Sequence, residues 1–315
     1  MIREPFIRAT EIWLPSRDGL SIELSGGLYG TLDYFAAISR GMRFAYGEGL
    51  PGQVWRAGHP IVLKDLRASY FRRGDAAMTE GLSCAVAMPC FASGQLSAVL
   101  ILFCGDDRYS VGALELWSLN EGDDNLSLVD GYFGSARAFE KATRATAFGR
   151  GVGLPGRVWD NARPEILADI GAGERFVRRE EAVRVGINRA IGIPCPTLDG
   201  KPWILTCLSA RNSPIAGRFE HWRRSPEDGG LTFVDGYCES GIELARLYAD
   251  TVISDGAGVF TRACRKGVPL LDEDLATDTS NAVAVNAVEI GLRSMVVLPV
   301  VCEPHGRDDV IAFYF

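Results

Sequence analysis

The hydrophobic and polar positions of the chain form short patterns that predict strands and helices in a repeating order. Leu20, Ile22 and Leu24 alternate with polar residues, which is the period-two pattern of a half-buried strand. The segment 50–55 instead spaces its apolar residues four apart, as on one face of a short helix. The first hundred residues therefore contain both strand and helix patterns. This length and mixture are typical of one small domain.

One stretch of sequence is repeated three times along the chain. GEGLPGQVWRAGHPIVLKDL begins at residue 47, GVGLPGRVWDNARPEILADI at residue 151, and the more divergent GAGVFTRACRKGVPLLDEDL at residue 256. Other landmarks keep the same spacing of 104 or 105 residues. They are Trp13, Trp117 and Trp222; Pro60, Pro164 and Pro269; Gly81, Gly186 and Gly291; and Pro89, Pro194 and Pro299. A register that holds at all these landmarks predicts three copies of one unit, the third being the most divergent.

Each unit predicts the element order β-β-α-α-β-α-β-β. In the repeated stretch, Pro51 suits the first turn of a helix, and Gly58 suits the left-handed position that ends one. Ser93-Gly94 and Asp199-Gly200 predict hairpin turns between the last two strands of units 1 and 2. The sequence therefore predicts an α+β fold of three units, each a mostly antiparallel β-sheet with helices on one side.

The pattern GEGLPGQVW…GHPIVLKDL…GLSCAVAMPC…GQLSAVLILF resembles that of a GAF domain, a small-molecule sensing and dimerisation module. The motif GLPGRVW also resembles a motif in the GAF-like N-terminal domains of some plant transcription regulators. The resemblance covers all three units, which we expect at residues 1–106, 107–210 and 211–315. GAF domains usually carry flanking helices, but the segment 98–117 leaves no room for them between two strands. We therefore expect the uncovered sheet faces to pack against one another, so that the units form one body.

The resemblance implies a ligand pocket between helix and sheet, and six residues at matching positions of units 1 and 2 are candidates for it. An arginine at the pocket edge would hold a carboxylate or phosphate with its planar fork, so a small anionic molecule fits. Two other interpretations stay open: the tryptophans could be core residues, and the arginines could lie on a solvated helix face. Unit 3 has Cys264 and Val283 at the tryptophan and arginine positions. The candidates are Trp55, Phe71 and Arg73 in unit 1, and Trp159, Phe176 and Arg178 in unit 2.

The cysteines supply the main route to an enzyme. Some GAF proteins reduce free methionine sulfoxide with clustered cysteines, and Cys84, Cys90 and Cys104 could imitate that arrangement. Cys84 and Cys90 lie on one predicted strand, about 20 Å apart, whereas a disulfide needs Cα atoms within about 7 Å. Cys84 and Cys104 would face each other across the hairpin in only one of two registers. We therefore favour a protein that is not an enzyme.

Charge and residue spacing disfavour several other classes. The net charge of −7 disfavours a broad nucleic-acid surface and an anionic-membrane patch. The three histidines form no metal-binding spacing with cysteine or carboxylate, and no nucleotide-binding loop is present, so we expect no metal and no cofactor. The chain shows no secretion signal and no apolar run of about 20 residues. Its eight cysteines then indicate reduced thiols, and we expect a cytoplasmic protein with no membrane contact.

The favoured interpretation is a sensory or regulatory protein that binds a small molecule in units 1 and 2 and signals through a protein partner. A ligand-free interaction scaffold and a cysteine-based free methionine sulfoxide reductase are the alternatives. The stretch 279–292 of unit 3 carries one charged residue, Glu289, where its counterparts 70–82 and 175–187 carry four and six. Such an apolar helix is typical of a buried or interface surface, so we expect a homodimer held mainly by unit 3.

Overall fold

The computed structural model describes residues 5–105, 111–172, 175–210, 213–256, 258–277, 282–302 and 307–315. The unit boundaries expected at Asp107 and Arg211 lie outside the described residues, as do His305 and the first residues of the apolar stretch of unit 3. The expected division into 1–106, 107–210 and 211–315 stays a prediction. One sheet falls within each of these three ranges.

The three units contain the same elements in the same order. Unit 1 comprises β1 (Ile7–Pro15), β2 (Ser21–Leu28), α1 (Asp33–Ser39), β3 (Arg43–Ala45), α2 (Gly49–Ala57), β4 (Ile61–Leu63), α3 (Gly74–Thr79), β5 (Cys84–Ala92) and β6 (Gln95–Cys104). Unit 2 comprises β7 (Gly112–Leu119), β8 (Leu126–Tyr132), α4 (Arg137–Arg144), β9 (Ala147–Phe148), α5 (Gly153–Asn161), β10 (Glu165–Leu167), α6 (Arg179–Arg184), β11 (Ile187–Cys195) and β12 (Trp203–Ala210). Unit 3 comprises β13 (Arg218–Arg224), β14 (Leu231–Cys238), α7 (Leu244–Leu247), β15 (Val252–Ile253), α8 (Gly258–Lys266), β16 (Leu270–Asp272), a 3-10 turn (Leu275–Thr277), α9 (Ala282–Glu289), β17 (Met295–Cys302) and β18 (Arg307–Tyr314).

Each unit forms one six-stranded antiparallel sheet with the same strand order. The orders are β3-β2-β1-β6-β5-β4, β9-β8-β7-β12-β11-β10 and β15-β14-β13-β18-β17-β16. The expected α+β fold of three repeated units is confirmed. The short edge strands β3, β9 and β15 were not predicted, because runs of two or three residues are too short to show alternation.

The turns and element ends that glycine and alternating residues predicted are present in some places and differ in others. Ser93 and Gly94 have φ of 51° and 74°, the two positive values of a tight hairpin turn between β5 and β6. Asp199-Gly200 lies instead within a longer loop, residues 196–202, between β11 and β12. Gly58 ends α2 with a left-handed φ of 69°, as predicted. Leu20 was predicted in a strand, but it precedes β2 and its side chain is 74% exposed.

The units share a central core. Each unit buries one face of its sheet under its own helices, and the opposite faces of all three sheets meet in a separate apolar cluster. Met88 of unit 1, Leu205 of unit 2 and Phe313 of unit 3 all belong to that cluster. The prediction that the sheet faces without flanking helices cover one another is therefore confirmed.

The three units close into a ring. The edge strand that comes fourth along the chain in each unit packs against the second strand of the next unit. These contacts join β4 to β8, β10 to β14, and β16 to β2. We call these contacts the 1–2, 2–3 and 3–1 joints. Because the third joint returns to unit 1, the described parts of the three units form a closed threefold ring within one chain.

Different side chains connect the three joints. At the 1–2 joint, Lys64 Nζ lies 2.6 Å from Asp130 Oδ1. At the 2–3 joint, Arg189 Nε lies 3.1 Å from Glu239 Oε1. At the 3–1 joint the Leu271 side chain packs closely on the backbone of Gly26, since a Cβ added at Gly26 would lie 3.1 Å from Leu271 Cδ1. The ring is thus held by an ion pair at two joints and by close apolar packing at the third.

The apolar helix of unit 3 lies mostly in the core of its own unit. Val283, Ala284 and Ala287 of α9 are buried there, whereas Val285 is 39% exposed. The burial that motivated the homodimer prediction is therefore supplied largely within the chain, and the homodimer itself stays a prediction. Within the described residues, no helix is both long and apolar enough to cross a membrane.

Candidate functional site

A carboxylate lies in the core of unit 1, two residues before the repeated tryptophan. Residues two apart on a strand share a face, so Trp13 Nε1 donates a hydrogen bond of 2.9 Å to Glu11 Oε2. Arg73, just before α3, donates from Nη1 and Nη2 to the two oxygens of Glu11 at 2.5 and 2.9 Å. Both charged side chains are fully buried. This is a bidentate ion pair closed inside the unit.

Aromatic rings enclose the arginine of this pair. The guanidinium carbon of Arg73 lies 4.7 to 5.5 Å from the ring centres of Trp13, Phe35, Phe71 and Phe103. Cations at this distance are attracted by the electron-rich faces of aromatic rings. The pair is therefore stabilised by its surroundings as well as by its own charges.

Unit 2 repeats the arrangement. Arg178 donates to both oxygens of Glu115 at 2.5 and 3.0 Å, and Trp117 Nε1 donates to the same carboxylate at 3.0 Å. The rings of Phe139 and Phe176 lie 4.8 and 5.1 Å from the guanidinium carbon. The two units thus place an equivalent ion pair between sheet and helices.

Unit 3 reaches a similar arrangement from another position. Val283 replaces the arginine, and Arg218 of β13 supplies the charge from the position that Ala9 and Ala113 hold in the other units. Arg218 Nη1 lies 3.4 Å from Glu220 Oε1, and both side chains are fully buried. Burial raises the pKa of Glu220 above its usual value, although Arg218 opposes that shift. The glutamate is common to the three units, while the arginine comes from two different places.

Four of the six candidate residues lie inside the unit cores. Arg73 and Arg178 are buried, so the interpretation that they lie on a solvated helix face is wrong, while a ligand-binding role for them stays a prediction. Phe71 and Phe176 are buried beside them. The Nη groups of the arginines donate to glutamate and to the hydroxyl of Ser39 or Thr143, and Nε lacks an acceptor among the described residues. The arginine thus occupies the space between helix and sheet where a ligand was expected.

A repeated glutamate in the sequence indicates these ion pairs, although hydrophobic periodicity alone does not. Glu11, Glu115 and Glu220 keep the 104 or 105 spacing and precede each repeated tryptophan by two residues. A charged residue that recurs on the buried face of a strand needs a buried partner. That argument would have moved the arginines from the pocket to the core.

The two matching tryptophans have different surroundings. Trp55 is half-buried and packs edge-on against Tyr46, with ring centres 5.2 Å apart. Trp159 lines a cavity between the units, and the guanidinium of Arg150 lies 5.0 Å from its ring centre. Trp159 is therefore a candidate that the structure places in a cavity wall.

That cavity, the central cavity, has a volume of about 540 Å³ and is lined by all three units. The hairpin β5–β6 and the loop between β11 and β12 form much of its wall, and β17 closes another side. Phe91, Trp159 and Trp203 supply aromatic surface, and Lys201 supplies a positive charge. A cavity of this size with mostly apolar walls and few polar groups is typical of a small-molecule site.

Trp203 connects this wall to the 1–2 joint. Its ring stacks on that of His59, with centres 4.2 Å apart and planes within 6°. Its indole Nε1–H is buried and has no acceptor among the described residues. A buried donor without an acceptor is unusual, so the cavity wall contains an unused hydrogen-bonding group.

Three cysteines of the central core, Cys90, Cys104 and Cys207, lie in surroundings that disfavour the thiolate form. Cys84 and Cys104 lie directly opposite each other in the β5–β6 register, which is the arrangement that brings them face to face. Burial raises the pKa of Cys104 well above its usual value, and raises that of Cys90 to about 12. Thiolates, not thiols, are the nucleophiles, so this environment disfavours cysteine chemistry.

The aspartate that follows the fourth strand of each unit has a structural role. Asp65 Oδ1 accepts hydrogen bonds from the backbone N–H groups of Arg67 and Ala68, both at 2.9 Å. Asp169 and Asp274 accept an equivalent bond two residues on. These side chains fix the turn after the strand.

No protein-family model and no curated protein matches the chain. Several solved structures do, each over about one unit. A GAF domain from A. aeolicus in an inactive state is 23% identical, with a TM-score of 0.26, and the match covers 32% of this chain and 59% of that one.

Two further structures match to a similar extent. The free methionine-R-sulfoxide reductase from Neisseria meningitidis, in complex with its substrate, is 17% identical with a TM-score of 0.25, covering 31% of this chain and 52% of that one. The GAF domain of a phosphoenolpyruvate-protein phosphotransferase from Coxiella burnetii is 18% identical with a TM-score of 0.27, covering 32% and 58%. The chain thus spans little more than half the length of these proteins. The architecture of this chain is three tandem units, each with one six-stranded antiparallel sheet.

Proposed function

We propose that the protein is a non-catalytic regulatory protein that binds a small molecule in the central cavity. The observation that carries this proposal is the cavity of about 540 Å³ whose wall is contributed by all three units. A ligand there contacts every unit at once, so its binding is coupled to the packing of the whole ring. That is the property a sensor requires, because a ligand acts by stabilising one arrangement over another.

The lining supports an apolar ligand that carries one anionic or acceptor group. Phe91, Trp159 and Trp203 offer flat surfaces for a ring, while Lys201 and the unused Nε1–H of Trp203 offer one cation and one donor. This revises the expected location: the ligand binds between the units and not inside units 1 and 2. The anionic character expected from the sequence is kept.

A binding role fits the chemistry of the cavity better than an enzymatic one. Cys90 and Cys195 line it, and burial raises the pKa of Cys90 to about 12, so that its thiol is protonated at neutral pH. We propose that the response passes to a protein partner in the cytoplasm. A homodimer through the exposed side of α9, around Val285, belongs to the same proposal.

The cavity is tested by comparing the two matching tryptophans. We expect native mass spectrometry of protein purified from its own host to show a retained small molecule, and the anionic dye anilinonaphthalene sulfonate to bind with one-to-one stoichiometry. Trp159→Ala should weaken dye binding about tenfold, since it removes one aromatic wall. Trp55→Ala is the matched control, because Trp55 packs on Tyr46 away from the cavity.

Two results would contradict the proposal. Equal dye affinity in both variants would place the dye elsewhere, and the absence of both a retained mass and saturable dye binding would favour the ligand-free scaffold. The homodimer is tested separately by sedimentation equilibrium of the wild type and Val285→Glu. A monomeric wild type, or a folded variant that dimerises fully, would exclude the contact through α9.

A further inference from the structure

We propose that the 2–3 joint contains a second binding site, for a small phosphate-bearing anion, independent of the central cavity. A cleft of about 500 Å³ lies between units 2 and 3, and we call it the arginine cleft. Four arginines line it together with a histidine and two carboxylates. Its charged residues are Arg157, Arg163, Arg175, Arg223, His221, Glu165 and Asp235.

The charges of the cleft are only partly matched by the protein. Arg157 is held by Glu165, with its Nε 2.8 and 2.9 Å from the two carboxylate oxygens. Arg163 and Arg223 share one carboxylate, that of Asp309, at 3.7 and 3.0 Å. With Glu165, Asp235 and Asp309 counted together, four arginines face three carboxylates, so the cleft keeps a net positive charge that an anion would balance.

The hydrogen-bond donors of these arginines are only partly used. Asp309 is buried and already accepts from His221 at 2.8 Å. Arg163 and Arg223 approach it through Nε, and their Nη groups have no acceptor among the described residues. Arg175 is exposed, and its charge acts on Asp235 across the cleft without a direct ion pair or side-chain hydrogen bond within the described residues. Three guanidinium groups thus present unused donors at one cleft.

The other joints show that the scaffold does not need these charges. At the 1–2 joint, the positions of Arg157, Arg163, Arg175 and Arg223 are held by Gln53, His59, Tyr70 and Ser118. At the 3–1 joint, Arg262 keeps the position of Arg157, but Val268 and Leu14 hold the positions of Arg163 and Arg223. The same ring contact is made without the arginine set in both cases. The arginines of the 2–3 joint are therefore an addition to the fold.

The arrangement favours a phosphate over a single carboxylate. One guanidinium satisfies a carboxylate by a planar bidentate contact, whereas a tetrahedral phosphate accepts from several forks that approach from different directions. A cleft of about 500 Å³ also exceeds the size of a phosphate ion, which leaves room for the organic part of a phosphate ester. The chemical class is accordingly a small molecule with one or two phosphate groups.

Calorimetric titration with pyrophosphate, at constant ionic strength set by chloride, tests the site. We expect saturable one-to-one binding that weakens about tenfold or more in Arg163→Gln and in Arg175→Gln, because each loses a charge-assisted contact. Both variants should fold, since Asp309 keeps His221 and Arg223 and since Arg175 is exposed. Arg246→Gln is the control, an exposed arginine of unit 3 outside the cleft.

The outcomes separate this site from the central cavity. Unchanged pyrophosphate binding in Arg246→Gln and Trp159→Ala, together with the loss in the cleft variants, supports the proposal. No saturable binding by the wild type would overturn it, as would equal affinities in the Arg163, Arg175 and Arg246 variants. Dye binding in the central cavity should be the same in Arg163→Gln as in the wild type, so failure of one site leaves the other testable.

Discussion

Glu11, Glu115 and Glu220 are buried charges whose cost the fold must offset. Taking a carboxylate out of water costs several kcal/mol, and a bidentate arginine offsets that cost only while the pair is intact. The exchange of Arg73 and Arg178 for Arg218 shows that the carboxylate is the fixed element of the unit, since the cation has changed position in unit 3. The pairs are therefore structural.

The first prediction concerns the loss of one partner. Arg73→Met leaves Glu11 buried without its cation and should lower the free energy of unfolding by about 3–5 kcal/mol, measured by denaturant titration. The double variant Arg73→Met/Glu11→Gln should recover at least half of the loss, because it removes the charge and keeps an acceptor for Trp13. Arg67→Met, at an exposed arginine nearby, is the control. A loss below about 1 kcal/mol in the single variant would show that the pair is not structural.

The second prediction concerns acid stability through Asp309. Burial by itself raises the pKa of this carboxyl, but hydrogen bonds and charge from His221 and Arg223 outweigh burial and lower the pKa below its ordinary 3.8. A carboxyl with a lowered folded-state pKa stabilises the fold above the unfolded value and loses that contribution as the pH falls below it. The free energy of unfolding should therefore fall more steeply below about pH 4 in the wild type than in Asp309→Asn. Parallel profiles from denaturant titrations at several pH values would contradict this assignment.

At the scale of elements, the short helices α2 and α5 end in the same backbone conformation with different residues. Gly58 adopts φ of 69° after α2, and Ala162 adopts φ of 50° after α5. Glycine reaches the left-handed region without a Cβ penalty, whereas other residues are strained there. Unit 2 thus holds an alanine in a position that unit 1 gives to glycine.

This difference yields the third prediction, a reciprocal pair of substitutions. Ala162→Gly should raise the free energy of unfolding by about 0.5–1 kcal/mol, and Gly58→Ala should lower it by about 1 kcal/mol or more, because the same strain is removed in one case and introduced in the other. Thermal and denaturant unfolding of both variants measure the effect. Changes of the same sign would show that cavity contacts of Ala162, and not the backbone, decide the outcome.

Elements that depend on local chemistry could be predicted, and those that depend on contacts between units could not. Pro51, Gly58 and Ser93-Gly94 set the backbone by their own conformational limits, so the sequence was sufficient. The surroundings of Arg73 depend on the burial of Glu11, which it pairs with. Those of Trp159 depend on the closure of the ring, which forms the cavity. The arginine cleft was missed for the same reason, since Arg163 and Arg223 lie 60 residues apart in sequence and in different units.

At the scale of the molecule, the shared core makes the three units one folding body. Limited proteolysis should leave no stable fragment of about 105 residues, because a released unit would expose the sheet face that now lies in the central core. This fourth prediction is checked by mass spectrometry of the digestion products. Independently folded thirds, released by cuts near Asp107 or Arg211, would contradict it.

The closed ring leads to a fifth prediction, on the order of the units along the chain. Pro5, Ile7 and Phe315 line one cleft of about 260 Å³ at the 3–1 joint, so the first and last described residues lie near each other. A Gly/Ser linker of about eight residues has a root-mean-square span of about 15 Å, which is sufficient to join them.

A permutant with that linker, opened between Glu121 and Gly122 in the exposed turn before β8, should keep all three joints and unfold in one cooperative transition. Deletion of unit 3 removes two of the three joints and uncovers the inner faces of β5 and β11, so residues 1–210 should aggregate or remain unfolded. Calorimetry of the permutant and sedimentation velocity of the truncated chain measure these outcomes. Stepwise unfolding of the permutant, or a monomeric and cooperatively folded truncation, would show that the units are arranged as a linear array whose ends do not depend on each other.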